Sequence, residues 1–229
     1  ERVPQSGQVL LDGLELSGKI GDYHLVNSIT WHGKSFGAYN AMVRVYGNRW
    51  FDATKLIDVK YRSESGRGVL ELTGSYRGDV DFEITHRLTV FQDRPVMMCE
   101  LESVSNKAAI PLKLLAFYFR LYAPFKDSPL VDAPNLWDAR PCACWLDKGD
   151  GRYIGFVTPR LSDADLYFWI SPEGGAHPDA RYEFSEPITI GPDKTYVPDK
   201  SMFMACTLGD GGTNGWATAS DALSRQMDE

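Results

Sequence analysis

Residues 81–122 read DFEITHRLTVFQDRPVMMCELESVSNKAAIPLKLLAFYFRLY, and this stretch decides the fold class. It divides into three strands, broken at Gln92-Asp93-Arg94-Pro95 and at Ser105-Asn106-Lys107, where the residues suit turns better than ladders. In the third strand Leu115, Phe117, Phe119 and Leu121 alternate with Ala116, Tyr118, Arg120 and Tyr122. Successive strand side chains face opposite sides of a sheet. The first set is therefore assigned to a core and the second to a polar, aromatic face able to line a groove. The first strand repeats the pattern, with Phe82, Ile84, Leu88 and Val90 set against Glu83, Thr85, Arg87 and Thr89. Two strands that each carry an arginine on the wet face mark a candidate binding surface.

The rest of the chain extends this pattern. Ala41 to Tyr46 alternates, with Val43 and Val45 on one side and Met42, Arg44 and Tyr46 on the other. Leu56 to Arg62, Gly68 to Tyr76 and Val80 to Phe91 follow at short intervals, with turns at Ser65-Gly66 and Arg77-Gly78-Asp79, the rhythm of an antiparallel meander. Pro124, Pro129 and Pro134 make residues 123–135 an extended loop that delivers Trp137. Strands resume at Tyr153 to Thr158, Asp165 to Ile170, Phe184 to Ile190 and Ser201 to Thr207, while Ser171 to Asp179 reads as a second turn-rich segment. Helical spacing of apolar residues appears at the C-terminus alone. There Trp216, Ala219, Leu223 and Met227 predict one amphipathic helix over about residues 214–227. Ten or more strands with no strand–helix alternation predict an all-β fold: a large antiparallel two-sheet sandwich, one domain over residues 1–229.

Composition narrows the function. A hydrophobic fraction of 43% supports a substantial core, and the net charge of −7 is spread rather than blocked. Nucleic acid is not an expected partner, because phosphate binding needs clustered Lys and Arg. The longest apolar run, Leu112 to Phe119, contains Lys113 and is too short to span a bilayer, so no membrane insertion is expected. Cys99 and Cys206 sit in strand-like runs and read as buried thiols. Cys142-Ala143-Cys144 is too tight for a zinc knuckle, so neither a metal nor a cofactor is expected. The chain begins at Glu1 rather than Met, as a mature secreted form or an excised piece would, and the expected location is secreted or periplasmic.

Two segments resemble the galactose mutarotase-like (aldose epimerase) superfamily of β-supersandwich proteins. Val104-Ser105-Asn106, then Ile110-Pro111-Leu112, then Tyr118-Phe119 is similar to that family's asparagine, proline-containing turn and strand ending H-x-Y-F. Glu173-Gly174-Gly175-Ala176-His177-Pro178-Asp179-Ala180, with Gly191-Pro192 and Tyr196 downstream, resembles its late segment, where a catalytic glutamate precedes a P-D-A-like turn. The resemblance implies a saccharide partner and places Glu173 at the position of the general base. At the position of the histidine acid stands Ala116, which has no proton to give. It therefore implies a carbohydrate-binding protein without standard mutarotase activity. The alternative is a carbohydrate-active enzyme, an epimerase relative or a glycoside hydrolase or lyase, using Glu173 as base. A structural or protein-interaction domain is the third class.

The site candidates carry two readings each. His86 falls in phase with Phe82, Ile84 and Leu88, which makes it a hydrogen-bonded core histidine unless a local bulge turns it toward the groove beside Arg87. His177, four residues after Glu173, is either a solvated loop residue or a ligand contact or substitute acid. Arg44, Arg87 and Arg120 are either cross-strand partners of Glu83, Glu100 or Glu102, or donors to sugar hydroxyls or a substrate carboxylate. Tyr118 and Trp137 either pack, or stack on a pyranose face.

Overall fold

The computed structural model describes residues 6–11, 14–21, 25–45, 49–52, 55–92, 96–122, 142–146, 150–157, 164–170, 176–199 and 203–210. Within them run strands β1 (Ser6–Leu11), β2 (Leu14–Lys19), β3 (Val26–Trp31), β4 (Lys34–Val45) and β5 (Arg49–Asp52). Next come β6 (Lys55–Glu64), β7 (Arg67–Tyr76), β8 (Phe82–Phe91), β9 (Val96–Asn106) and β10 (Leu112–Tyr122). The last six are β11 (Cys142–Leu146), β12 (Tyr153–Val157), β13 (Ala164–Ile170), β14 (Ala176–Ile190), β15 (Thr195–Tyr196) and β16 (Phe203–Gly209). No helix occurs among the described residues, and the helix expected over residues 214–227 lies outside them.

The strands form two antiparallel sheets of eight. The first runs β1-β2-β3-β4-β10-β14-β13, with β5 also paired to β4. The second runs β11-β12-β16-β9-β8-β7-β6, with β15 also paired to β9. The predicted all-β two-sheet sandwich is thus the observed fold. One core fills the space between the sheets, with Tyr39, Val43, Phe117 and Phe119 from the first meeting Leu72, Ile84, Leu88 and Cys99 from the second. Cys99 and Cys206 are free and buried.

Two irregularities set which side chains face in. In β4, Gly37 adopts φ 100, a conformation that L side chains rarely take, and the pairing with β3 shifts register there. The shift brings both Phe36 and Tyr39, three residues apart, into the core. In β10 the register breaks between Leu114 and Ala116. Leu112 and Leu114 face the core before the break, and Phe117, Phe119 and Leu121 face it after. Leu115, expected in the core, is the extra residue of the bulge and stays half-buried. Period-two alternation cannot register an inserted residue, which is why the sequence misplaces it.

The chain passes from the second sheet to the first at the turn after β9. Asn106 organises that crossing from a fully buried position. Its Nδ2 donates to the carbonyls of Ile110 (2.8 Å) and Ile190 (2.9 Å), and its Oδ1 accepts from the Ala108 amide at 2.9 Å. β8 and β10 therefore belong to different sheets, although only one strand separates them in sequence.

Candidate functional site

The crossing divides the expected constellation. Arg87 lies on the outer face of the second sheet and Arg120 on that of the first, on opposite sides of the molecule. Arg87 is held by Glu102 at 2.6 Å and by Glu100 at 3.7 Å. A register shift opposite Thr85 and His86 leaves Glu102 unpaired in the ladder, so β9 presents both acids to the one guanidinium. Of the two readings for Arg87, the cross-strand partner is the one observed.

His86 does not turn toward a groove. It is 0% exposed, between the sheets, with its Nδ1 3.0 Å from the Tyr39 hydroxyl and its ring stacked on Phe117 at 5.3 Å. Phe119 meets it edge-on at 5.8 Å. Burial lowers the imidazole pKa from 6.5 to about 3 and pushes the Tyr39 phenol up, so both are neutral at physiological pH. The bulge beside His86 is real, but it moves Glu102 and leaves the histidine inside.

The outer face of the first sheet gathers the other candidates on its three central strands, β4, β10 and β14. Register places Arg44, Ala116 and Glu183 in one row, Met42, Tyr118 and Arg181 in the next, and Asn40, Arg120 and Asp179 in a third. Asp165 of β13 stands opposite Arg181. Across the first row, Arg44 Nη1 reaches Glu183 Oε1 at 3.1 Å, passing over the intervening β10. Arg181 pairs with the same carboxylate oxygen from two residues away along β14. The Arg181 guanidinium in turn lies over the Tyr118 ring, 5.0 Å from its centroid, and that of Arg120 lies 6.0 Å from the Tyr122 ring. Tyr118 itself is buried.

This geometry gives Ala116 a role. The strands on either side of β10 are about 10 Å apart, twice the interstrand spacing, and only long side chains meeting over a small one can close that gap. Ala116 is completely buried beneath the pair that crosses it. A histidine at this position would occupy the path of the Arg44–Glu183 contact. Ala116→Leu is expected to part the pair and to destabilise the fold by about 2 kcal/mol through overpacking, measured by urea unfolding. A variant as stable as wild type would show that Ala116 is not the spacer described.

Two residues of this site, Arg181 and Glu183, escape the sequence reading. The segment Ser171 to Asp179 was expected to be turn-rich throughout, but from Ala176 onward it is strand β14. The signal was available in Ala180-Arg181-Tyr182-Glu183, where Tyr182 faces the core and its neighbours do not. His177 is a β14 position opposite Trp169 rather than a loop residue. Glu173 and Trp137 lie outside the described residues.

Comparison with protein-family models and with curated proteins finds no match. Solved structures do match. The Slr1438 protein from Synechocystis sp. PCC 6803 superimposes with a TM-score of 0.59 at 11% identity, over 91% of this chain and 96% of that one. The alpha-galactosidase AgaB from Geobacillus stearothermophilus matches with a TM-score of 0.63 at 11% identity, over 94% of this chain. The alpha-N-acetylgalactosaminidase NagBb from Bifidobacterium bifidum matches at 0.58 and 12% identity, over 96% of this chain. The chain spans about two-fifths of the glycosidases' length, 41% of AgaB and 38% of NagBb. At these identities the likeness establishes the fold: a two-sheet β sandwich that recurs within sugar-processing enzymes.

Proposed function

We propose that this chain is a carbohydrate-binding β-supersandwich of the galactose mutarotase-like type, lacking the mutarotase acid, whose ligand surface is the outer face of the first sheet. The observation that carries the reading is the cluster on three adjacent central strands, in which Arg44 and Arg181 share Glu183 above the Tyr118 ring. Planar guanidinium donors, here held from below by the buried Tyr118 ring, are groups that recognise the oxygens of a sugar. Rigid central strands fix them relative to one another. The sandwich fold it shares with AgaB and NagBb, named as an alpha-galactosidase and an alpha-N-acetylgalactosaminidase, supports a sugar ligand. Their shares of 41% and 38% favour a second reading, in which such a sandwich works as one module beside a separate catalytic domain.

A glycan array of neutral and acidic sugars tests the proposal, followed by titration of the best ligand. Arg181→Ala is expected to weaken binding by roughly 10-fold or more, as loss of a charge-assisted donor does. Arg87→Ala, on the opposite sheet, is expected to leave affinity within about 2-fold and to cost under about 1 kcal/mol of stability, since its ion pairs are partly exposed. Silence across the array, or sensitivity to Arg87 but not to Arg181, would refute the assignment.

A further inference from the structure

We infer, on the reading that this face holds a sugar, that the sugar is acidic: Arg44 and Arg181 form a carboxylate subsite that Glu183 fills in the free protein and that a uronate takes over on binding. Guanidinium groups match carboxylates in shape as well as charge, and here two of them, from β4 and β14, converge on one carboxylate oxygen. The order of depth is the informative part. The Arg44 and Arg181 side chains are 22% and 18% exposed, whereas Glu183 is 41% exposed. The cations lie deeper and the acid sits outermost, where a ligand's carboxylate would approach.

The local structure suits such an exchange. The pairing of β14 with β10 runs unbroken from Asp179 to Glu183, then skips to Ile188. Glu183 is thus the last residue of its ladder segment, while Arg181 lies within it. Tyr118 lies below the Arg181 guanidinium and supports it independently of Glu183, so the cation keeps its place when the acid swings away. Partly exposed ion pairs are weak and exchange readily. A neutral hydroxyl is a poor substitute for the carboxylate it would have to displace, whereas a uronate carboxylate replaces it in kind.

The test compares matched methyl glycosides, galactoside with galacturonoside and glucoside with glucuronoside, titrated by NMR into wild type, Glu183→Gln and Arg44→Lys. For at least one pair, wild type should bind the uronate roughly 10-fold tighter than the neutral sugar, as expected for charge-assisted recognition. Glu183→Gln removes the internal competitor while keeping the shape, and should raise the preference for the uronate over the matched neutral sugar about 5-fold. Arg44→Lys should erase the preference, because an ammonium lacks the planar fork. Added salt should weaken the uronate complex alone. Equal affinity for acid and neutral sugars in wild type, or no gain in uronate preference for a folded Glu183→Gln, overturns the acidic-ligand inference while leaving carbohydrate binding intact. Binding of no sugar by any of the three proteins overturns both.

Discussion

Acidifying the protein from pH 7 to pH 4 is expected to remove about 3 kcal/mol of folding stability through His86 alone, and about 2 kcal/mol by pH 5. The imidazole is sealed between the sheets against Phe117, Phe119 and Tyr39, and its Nε2 finds no hydrogen-bond partner among the described residues. Charging it there would desolvate a cation with nothing to compensate, which is why its pKa falls from 6.5 to about 3. In the unfolded chain the same group titrates near its ordinary value. Between those two pKa values the unfolded state therefore binds a proton that the folded state refuses. Stability is complete above pH 6.5, declines as pH falls through the window, and stops declining below about 3. Urea unfolding at pH 7, 5 and 4, compared between wild type and His86→Gln, isolates this contribution because the two proteins differ at that side chain alone. Parallel pH profiles for the two proteins would mean that His86 is not the buried neutral group described.

Asn106→Ala is expected to cost about 4 kcal/mol of folding stability. The side chain is fully buried and all its hydrogen-bonding capacity is directed at backbone: two carbonyls, of Ile110 and Ile190, and the amide of Ala108. Its own amide donates to the Lys194 carbonyl at 2.9 Å, so the residue joins the β9–β10 turn to the end of β14 and the loop beyond. Truncation strands these groups where water reaches them poorly. Asn106→Asp is the discriminating control. It is nearly isosteric and keeps the acceptor for Ala108, but it turns a second oxygen toward two carbonyls, so it should be no more stable than the alanine variant at pH 7. Chemical denaturation of both variants decides the point. An aspartate variant close to wild type would mean that volume, not hydrogen bonding, holds the crossing. Because this crossing puts β10 into the first sheet, its loss should also loosen the face that carries Tyr118 and Arg120.

What the sequence determined by itself was local. Alternation in β8 separated Ile84, His86 and Leu88 from Arg87, and that in β10 after the bulge separated Phe117 and Phe119 from Tyr118 and Arg120, because the two-residue period is a property of the extended backbone itself. Turn residues located most of the strand breaks for the same reason. The resemblance singled out Asn106 and Ala116, two residues whose surroundings the structure then explains. Tertiary structure decided everything that depends on which strands become neighbours. Arg87 and Arg120 look equivalent along the chain, yet one faces Glu100 and Glu102 on one sheet and the other lies on the opposite side of the sandwich. Arg44 meets Glu183 across 139 positions of sequence, over an alanine whose only contribution is to be small. Pairing of that kind depends on long-range register, and register is set by bulges, crossings and packing of the whole core, none of which has a period that a sequence can display.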